Sequence, residues 1–225
     1  MAKISKAVLG NFGGKVGNVV GRKFRTENVV AAYQPIVHNP RTTAQTITRN
    51  RIGVLSQYSR ALTYAILLGM KKVSNGTKWS PRNMFVKLNW EATVATTASN
   101  PAITMSQIKV SKGNLSQFTF GAPHFSDTPQ HIICTYSESI IAGEDTDYEV
   151  FMVAVCPDTM NSVVVSSKDA GQVSGTLDME VPYAWNGMKA HVYGFVRYNG
   201  SDIAEHAIYK GDVSDSSYIG QGNIE

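Results

Sequence analysis

Between Tyr148 and Tyr198 the chain contains four runs of residues typical of β-strands. They are YEVFMVAVC (148–156), SVVVSS (162–167), GTLDMEVP (175–182) and AHVYGFVRY (190–198). Four similar runs surround them, ITMSQIKV (103–110), FTFG (118–121), HIICTYS (131–137) and AEHAIYKG (204–211). Turn signals such as Asn186-Gly187 separate the runs. Seven or eight short strands over about 110 residues predict an immunoglobulin-like or fibronectin-like β-sandwich at 103–225.

A long amphipathic helix is predicted before these strands. Asn39 can cap the helix, with Pro40 at its first position, and the helical pattern continues to about Met70. Its apolar residues fall on one side: Ile47, Val54, Leu55, Tyr58, Ala61, Leu62, Ala65 and Ile66. A second, short helix is expected in NMFVKLNW (83–90). Residues 91–102 are small and polar, which favours a linker.

The first 38 residues predict a β-hairpin, because two apolar runs flank a short polar turn at 25–28. Its polar positions carry Lys15, Arg22, Lys23 and Arg25. A hairpin alone has too little core to be stable and must pack on another surface. The sequence therefore predicts an α+β protein. A basic hairpin and a long helix are predicted to form a head at residues 1–90, and residues 91–102 are predicted to form a linker. Residues 103–225 are predicted to form an acidic sandwich that should fold by itself.

The charge of the chain is distributed unevenly along its length. Residues 1–112 carry 17 lysines and arginines and two acids, a net charge of +15. Residues 113–225 carry four lysines and arginines and 15 acids, a net charge of −11. The basic part can bind an anionic partner such as nucleic acid, or dock on the acidic part of another copy. The third alternative is that each half is merely solvated by its own charges.

The helix carries four arginines that are candidates for docking. Arg41, Arg49 and Arg60 lie within about 100° of one another on the polar face. Arg51 instead falls near the middle of the apolar stripe, where an unpaired charge is very costly. We expect Arg51 either to pair inside the fold or to reach a partner chain, and favour the second. The candidate docking or nucleic-acid-facing residues are thus Lys15, Arg22, Lys23, Arg25, Arg41, Arg49, Arg51 and Arg60.

GGKVGNVVG (13–21) is followed by NPRTTAQ (39–45), which we write NPRT-x-AQ, and then by Arg49. Near the other end, Val192-Tyr193-x-Phe195-Val196 precedes a turn and Ser216-Ser217-Tyr218-x-Gly220. In these features the chain resembles an uncharacterised protein family found in Bacteroidota and in the phages and prophages that infect them. Similar Asn-Pro-Arg-Thr openings recur in phage structural proteins. The resemblance implies a basic hairpin-helix head joined to a sandwich in a virion, and it supplies no catalytic residues.

The sequence contains no recognisable pattern for catalysis, metal binding or a cofactor. The glycines near Lys15 are too closely spaced for a phosphate loop, and no GxSxG, HExxH or CxxC occurs. The five histidines are scattered singly. Cys134 and Cys156 are expected to be small buried hydrophobes. No apolar stretch is long enough to cross a membrane, and no secretory signal is recognisable.

We therefore expect a non-enzymatic structural protein of a bacteriophage particle, made in the host cytoplasm and located in the virion. A connector or tail ring subunit and a capsid-associated subunit both fit. Its expected partners are other virion proteins or further copies of itself. One alternative is a sequence-nonspecific DNA-binding protein that uses the basic half. Another is an adhesin-like module that binds a ligand through the loops of the sandwich.

Overall fold

The computed structural model describes residues 2–4, 13–24, 27–36, 41–94, 101–115, 118–125, 130–137, 148–168, 175–199 and 209–224. The chain divides into two compact units, Met1–Thr42 and Thr43–Glu225. It is a mixed α and β protein, with three α-helices and many strands among the described residues. The division at 42/43 differs from the predicted boundaries at 90/91 and 102/103, because the helices share a core with the later strands.

The first unit contains a four-stranded antiparallel sheet. Its strands are β1 (Ala2–Ile4), β2 (Gly14–Val16), β3 (Val19–Phe24) and β4 (Glu27–Ala32), in the order β1-β4-β3-β2. Gly17 has a φ of 58° in the turn between β2 and β3, a conformation that glycine adopts without strain. Arg25 and Thr26, in the predicted turn, lie outside the described residues.

The second unit begins with three helices, α1 (Thr43–Ala61), α2 (Thr63–Ser74) and α3 (Pro81–Leu88). The helix predicted to run from Pro40 to about Met70 is interrupted at Leu62. There the Thr63 hydroxyl donates to the Arg60 carbonyl oxygen at 2.6 Å, a local bond that competes with regular helix geometry. Asn39 and Pro40, the predicted start of that helix, lie outside the described residues. At the start of α3, the Ser80 hydroxyl caps the helix by accepting from the Asn83 N–H at 3.3 Å.

A short antiparallel pair follows the helices, within the segment predicted to be a linker. β5 (Thr93–Val94) pairs with β6 (Ala102–Ile103), and a 3-10 helix, Met105–Gln107, comes next. Ala92 and Thr93 are almost fully buried, which a solvated linker would not allow. The predicted strand at 103–110 is therefore present only at its first residue, where it belongs to β6.

Two larger antiparallel sheets complete the second unit. Their strands are β7 (Thr119–Phe120), β8 (His124–Phe125), β9 (His131–Ser137), β10 (Tyr148–Cys156), β11 (Asn161–Ser166), β12 (Thr176–Glu180), β13 (Lys189–Tyr198) and β14 (Ser217–Asn223). The central sheet has the order β11-β10-β13-β14, and the outer sheet has the order β12-β9-β7, with β8 also paired to β9. A 3-10 helix, Tyr183–Trp185, lies between β12 and β13. Residues 204–208 of the last predicted strand lie outside the described residues, and β14 was not predicted.

The central sheet is buried on both faces, so this unit has three layers. Phe151 and Phe195, which stack with ring centroids 5.1 Å apart, pack with the buried residues of the helices. On the opposite face, Met152 and Val192 pack with the outer sheet. Because side chains alternate between the faces of a strand, β10 must be apolar at nearly every position to satisfy both layers. This requirement explains the continuous apolar run from Val150 to Cys156.

Candidate interaction surfaces

One face of the small sheet in the first unit is basic. Lys15 lies opposite Val20, and Arg22 lies opposite Val29, so their side chains project from the same side. The Lys15 Nζ is 3.5 Å from the centroid of the Tyr33 ring, a cation–π contact. Val29 is only 7% exposed on this face. We call this side, with Lys15, Arg22 and Tyr33, the basic face.

The other face of the same sheet is apolar and open. Val16 lies opposite Val19, and Gly21 lies opposite Val30. Val16 is 67% exposed and Val19 is 38% exposed. Among the described residues of this unit, Val29 is the sole buried hydrophobic side chain, and it lies on the basic face. We call this second side, with Val16, Val19 and Val30, the valine face; Lys23 lies at its far end.

The predicted helix arginines are placed differently from one another. Arg49 and Arg60 are exposed on α1. Arg41 precedes the helix and has a φ of 46°, which is incompatible with a helical position, so it does not extend the polar face of α1. Arg25 lies outside the described residues. No residue in the first twelve of α1 is buried, which leaves that end of the helix accessible.

Arg51 is held inside the second unit, the first of the two alternatives expected for it. Its Nε donates to the Thr93 hydroxyl at 2.8 Å, and its Nη2 donates to the Thr93 carbonyl oxygen at 2.8 Å and the Trp90 carbonyl oxygen at 2.5 Å. Its guanidinium carbon is 4.1 Å from the centroid of the Trp90 ring. These contacts hold α1 against the segment that leads into β5, so Arg51 contributes to the stability of the fold.

Ion pairs join lysines of the basic first half of the sequence to aspartates of the acidic second half, within the second unit. The Lys72 Nζ lies 2.5 Å from Asp212 Oδ1, and the Lys112 Nζ lies 2.5 Å from Asp215 Oδ2. The charge division along the sequence is therefore partly neutralised in space. Counted by unit, Met1–Thr42 has seven lysines and arginines and one acid, a net charge of +6, whereas Thr43–Glu225 has 14 and 16, a net charge of −2.

A groove of about 530 Å³ lies between α1 and α3. Ile52 on α1 and Val86 on α3 contribute apolar walls, together with Trp79 and Trp90. Trp79 is 46% exposed and Ile52 is 44% exposed. Large exposed apolar residues in one depression mark an interaction site more often than scattered ones do. The sequence signal for this groove was the two tryptophans, Trp79 and Trp90, that flank the short helix α3.

A second, larger cleft of about 850 Å³ lies at the C-terminal end of α2. It is lined by Leu67, Lys71, Lys72, Arg197 and Lys210, among others. The cleft is cationic, but two of its cations are already paired within the chain. Lys72 pairs with Asp212, and the Arg197 Nη2 donates to Glu149 Oε2 at 2.8 Å.

Some of the buried ionisable groups that the structure describes have hydrogen-bond partners within the fold. The Tyr193 hydroxyl donates to the Met105 carbonyl oxygen at 2.7 Å, and burial raises its pKa well above the ordinary value. Cys134 and Cys156 are buried thiols, and burial raises the pKa of the Cys134 thiol to about 11. Within the described ranges, no three His, Cys, Asp or Glu side chains are grouped so that they could hold a metal ion. No described helix is long and apolar enough to span a membrane.

Comparison with known proteins assigns the chain to a family. A family model described as a family of unknown function, DUF6266, matches residues 10–211. The chain belongs to this family. The match reaches into both units, and it includes β2, β3 and β4 of the small sheet together with the second unit as far as residue 211. No curated protein and no solved structure gave a significant match.

Proposed function

We propose that this DUF6266 protein is a non-enzymatic structural subunit that assembles with neighbouring proteins through its small sheet. The observation that carries the proposal is the valine face. A four-stranded sheet in which Val29 alone of the described hydrophobic side chains is buried cannot account for its own stability. Fully burying one valine contributes roughly 1.5–3 kcal/mol, so covering Val16 and Val19 with a partner is strongly favourable.

The kind of assembly that we propose is a bacteriophage particle. NPRTTAQ (39–45) resembles openings that recur in phage structural proteins, and GGKVGNVVG (13–21) accompanies it in the family described above. A connector or tail ring subunit and a capsid-associated subunit both agree with an exposed docking sheet. The protein would be made in the host cytoplasm and located in the virion, with other virion proteins or its own copies as partners.

We interpret the architecture as the basic hairpin, long helix and immunoglobulin-like sandwich that the sequence predicts. The paired strands β3 and β4 support a basic hairpin, and α1 with α2 supports one long, interrupted helix. The central and outer sheets, which share a core, support an immunoglobulin-like sandwich whose second face is covered by helices. In such an arrangement the layered unit is the rigid body, and the small sheet is the docking element.

Light scattering of the purified full-length protein tests this proposal. The wild type should form a defined oligomer, and Val16→Ser with Val19→Ser should lower its mass, because the double change removes the apolar contact. Val94→Ser is the matched control, since Val94 is 53% exposed on β5 in the other unit. If the wild type is monomeric, the same variants are compared for incorporation into phage particles. Unchanged assembly of the double variant would contradict the proposal.

Nonspecific DNA binding is the second candidate function, and the basic face favours it. Lys15 and Arg22 share one side of the sheet with the aromatic ring of Tyr33, a combination suited to phosphate contact and base stacking. The +6 charge of Met1–Thr42 adds to this attraction. DNA contact through the basic face is compatible with protein contact through the valine face.

Titration with duplex DNA at several salt concentrations tests this second function. Replacing Lys15 and Arg22 with Gln should reduce the slope of log K against log salt by about two, because two phosphate contacts are lost. Replacing Lys109 and Lys168, which are exposed in the other unit, should leave the slope unchanged. Absence of binding at low salt, or equal slopes for both variants, would argue against DNA as a partner.

A further inference from the structure

Two asparagine–glycine pairs lie entirely within the described residues, Asn75-Gly76 and Asn186-Gly187. In such a pair the amide nitrogen of the glycine can attack the asparagine side chain, because glycine has no side chain of its own to hinder the approach. All four residues are exposed. Water and hydroxide therefore reach both pairs, and exposure does not distinguish one pair from the other.

The two pairs have nearly the same backbone conformation. Asn75 follows α2 with a φ of −62° and a ψ of 141°, and Asn186 follows the 3-10 helix Tyr183–Trp185 with a φ of −54° and a ψ of 131°. Gly76 and Gly187 have φ values of 71° and 74°. In each pair the asparagine N–H donates back to a carbonyl oxygen of the preceding helix. The backbone angles therefore do not distinguish the pairs either.

The pairs differ in the hydrogen bond of the glycine amide. The Gly187 N–H donates to the Ile224 carbonyl oxygen at 2.7 Å, which holds that turn against the residue after β14. Within the ranges that the structure describes, no group accepts a hydrogen bond from the Gly76 N–H. Attack requires the glycine nitrogen to lose its proton and turn toward the asparagine side chain. A hydrogen bond from that N–H to the protein opposes both steps.

We propose that Asn75-Gly76 is a site of spontaneous modification, at which the folded chain converts Asn75 to aspartate and isoaspartate. Hydroxide from the solvent removes the Gly76 amide proton, and the nitrogen forms a bond to Asn75 Cγ. The bond from Cγ to Nδ2 breaks, and Nδ2 leaves as ammonia with a proton from water, which regenerates the hydroxide.

The product of this step is a five-membered succinimide ring, and water opens it in either of two ways. Cleavage of the bond between the Gly76 nitrogen and Cγ gives aspartate. Cleavage of the bond between the same nitrogen and the main-chain carbonyl carbon of Asn75 gives isoaspartate, in which the chain continues through the side chain. Nothing is oxidised or reduced, and water is the sole co-reactant consumed.

The modified residue would alter the cationic cleft at the C-terminal end of α2. Asn75 lines this cleft together with Lys71 and Lys72. Both products replace a neutral amide with a carboxylate, so the cleft becomes less positive and attracts anions less strongly. Isoaspartate also adds one carbon to the main chain, which disrupts the turn closed by the Thr77 N–H and the Ser74 carbonyl oxygen at 3.2 Å. The small sheet takes no part, so this proposal goes beyond the proposed function and does not depend on it.

Peptide mapping of the full-length protein by mass spectrometry tests the proposal. One sample is incubated folded in mildly alkaline buffer, and a second sample is incubated unfolded in urea. In the folded protein, Asn75 should be modified about tenfold faster than Asn186, because the Gly187 amide must first leave its hydrogen bond. In urea the two rates should become similar, since that hydrogen bond is lost. Asn199-Gly200 is followed separately, because Gly200 lies outside the described residues.

Asn75→Ser is the matched control, because it removes the side-chain carbonyl that is attacked. This variant should lose the modification at position 75 and keep the wild-type rate at Asn186. Isoaspartate separates from aspartate in liquid chromatography, so its presence at position 75 identifies the succinimide route. Equal rates at the two pairs in the folded protein would overturn the proposal, as would modification of Asn75 only after unfolding. Aspartate without isoaspartate would mean direct hydrolysis of the side chain and would overturn the proposed route.

Discussion

Arg51 shows how one charged residue is accommodated in an apolar helix stripe. Its guanidinium donates to two carbonyl oxygens and one hydroxyl, and its central carbon lies over the Trp90 ring. The planar fork of arginine can make these contacts together, whereas a lysine ammonium cannot reproduce them. The side chain therefore holds α1 against the segment between α3 and β5.

Replacing Arg51 with Lys should lower the free energy of unfolding by about 1–3 kcal/mol, because buried carbonyl oxygens lose their donors. Urea denaturation followed by circular dichroism measures this change. Arg60→Lys, on the exposed side of the same helix, should change stability by less than about 0.5 kcal/mol. Equal effects of the two substitutions would mean that the Arg51 contacts contribute little.

His191 should make stability depend on pH. Burial lowers its pKa below the ordinary 6.5, and the nearby Lys189 lowers it further. The neutral ring, 3.1 Å from the Tyr218 hydroxyl, is therefore the folded form, and the unfolded chain takes up the proton more readily. The stabilisation is fully present above pH 6.5 and is lost as the pH falls through the lowered folded pKa.

Thermal unfolding between pH 7.5 and 5 measures the contribution of His191. His191→Gln should flatten this part of the stability profile, because the titrating group is gone. The matched control is His124→Gln, which removes an exposed histidine on β8. An unchanged pH dependence in His191→Gln would assign the effect to other groups.

At the scale of elements, α2 approaches the segment after the 3-10 helix more closely than a side chain would permit. A Cβ added at Gly69 would lie 2.5 Å from Ser111 Cβ and 2.8 Å from the Val110 carbonyl oxygen. A Cβ added at Gly53, in α1, would meet no other atom within 4 Å. Comparing an alanine substitution at Gly69 with one at Gly53 therefore distinguishes the destabilisation caused by a clash from the stabilisation that alanine gives to a helix.

Gly69→Ala should destabilise the protein by about 1–3 kcal/mol, as overpacking typically does. Gly53→Ala should stabilise it by about 0.5–1 kcal/mol, because alanine favours the helix. Chemical denaturation of both variants against the wild type measures the difference. A stabilising Gly69→Ala would show that α2 can move away from residues 110–111 at little cost.

Strands with an alternating pattern or a continuous apolar run were predictable from the sequence, and β14 was not. The runs at 131–137, 148–156 and 190–198 correspond to β9, β10 and β13. β14 has the sequence SYIGQGN, whose two glycines disfavour a strand by propensity. The structure supplies the reason, since a Cβ at Gly222 would lie 2.2 Å from the Phe125 ring. That contact depends on a residue almost 100 positions away, which local patterns do not reveal.

The three-layer arrangement left a sequence signal that was interpreted too narrowly. Strict alternation is typical of a strand with one face in solvent, whereas β10 is apolar from Val150 to Cys156. Such a run indicates burial on both faces and thus a further layer. The amphipathic helices predicted from the sequence were the elements that could pack on the second face of this sheet. Of the candidate site, the cationic residues were identified by type, but the placement of Arg51 and the groove at Trp79 required the fold.

At the scale of the whole molecule, the helices pack on one face of the central sheet and bury it. Phe151, Val153, Val155, Tyr193 and Phe195 all belong to the core that includes α1, α2 and α3. Residues 103–225 were expected to fold alone, and the structure changes that expectation. Without the helices, this fragment would expose a continuous apolar surface.

We predict that residues 43–225 fold cooperatively, whereas residues 103–225 aggregate or bind a hydrophobic dye. Circular dichroism, gel filtration and dye fluorescence of the two fragments measure the difference. A soluble 103–225 fragment with a sharp unfolding transition would show that the outer sheet supplies enough core by itself.

The position of the helices early in the chain also affects how the protein is synthesised. The apolar sides of α1, α2 and α3 leave the ribosome before β10 and β13, and β13 ends about 110 residues after α3. At roughly 5–20 residues per second, the nascent helices wait about 5–20 s for the sheet that covers them. During that interval we expect their exposed apolar sides to be recognised by chaperones. Slow codons between the helices and β10 would lengthen this exposure and lower the yield of native protein.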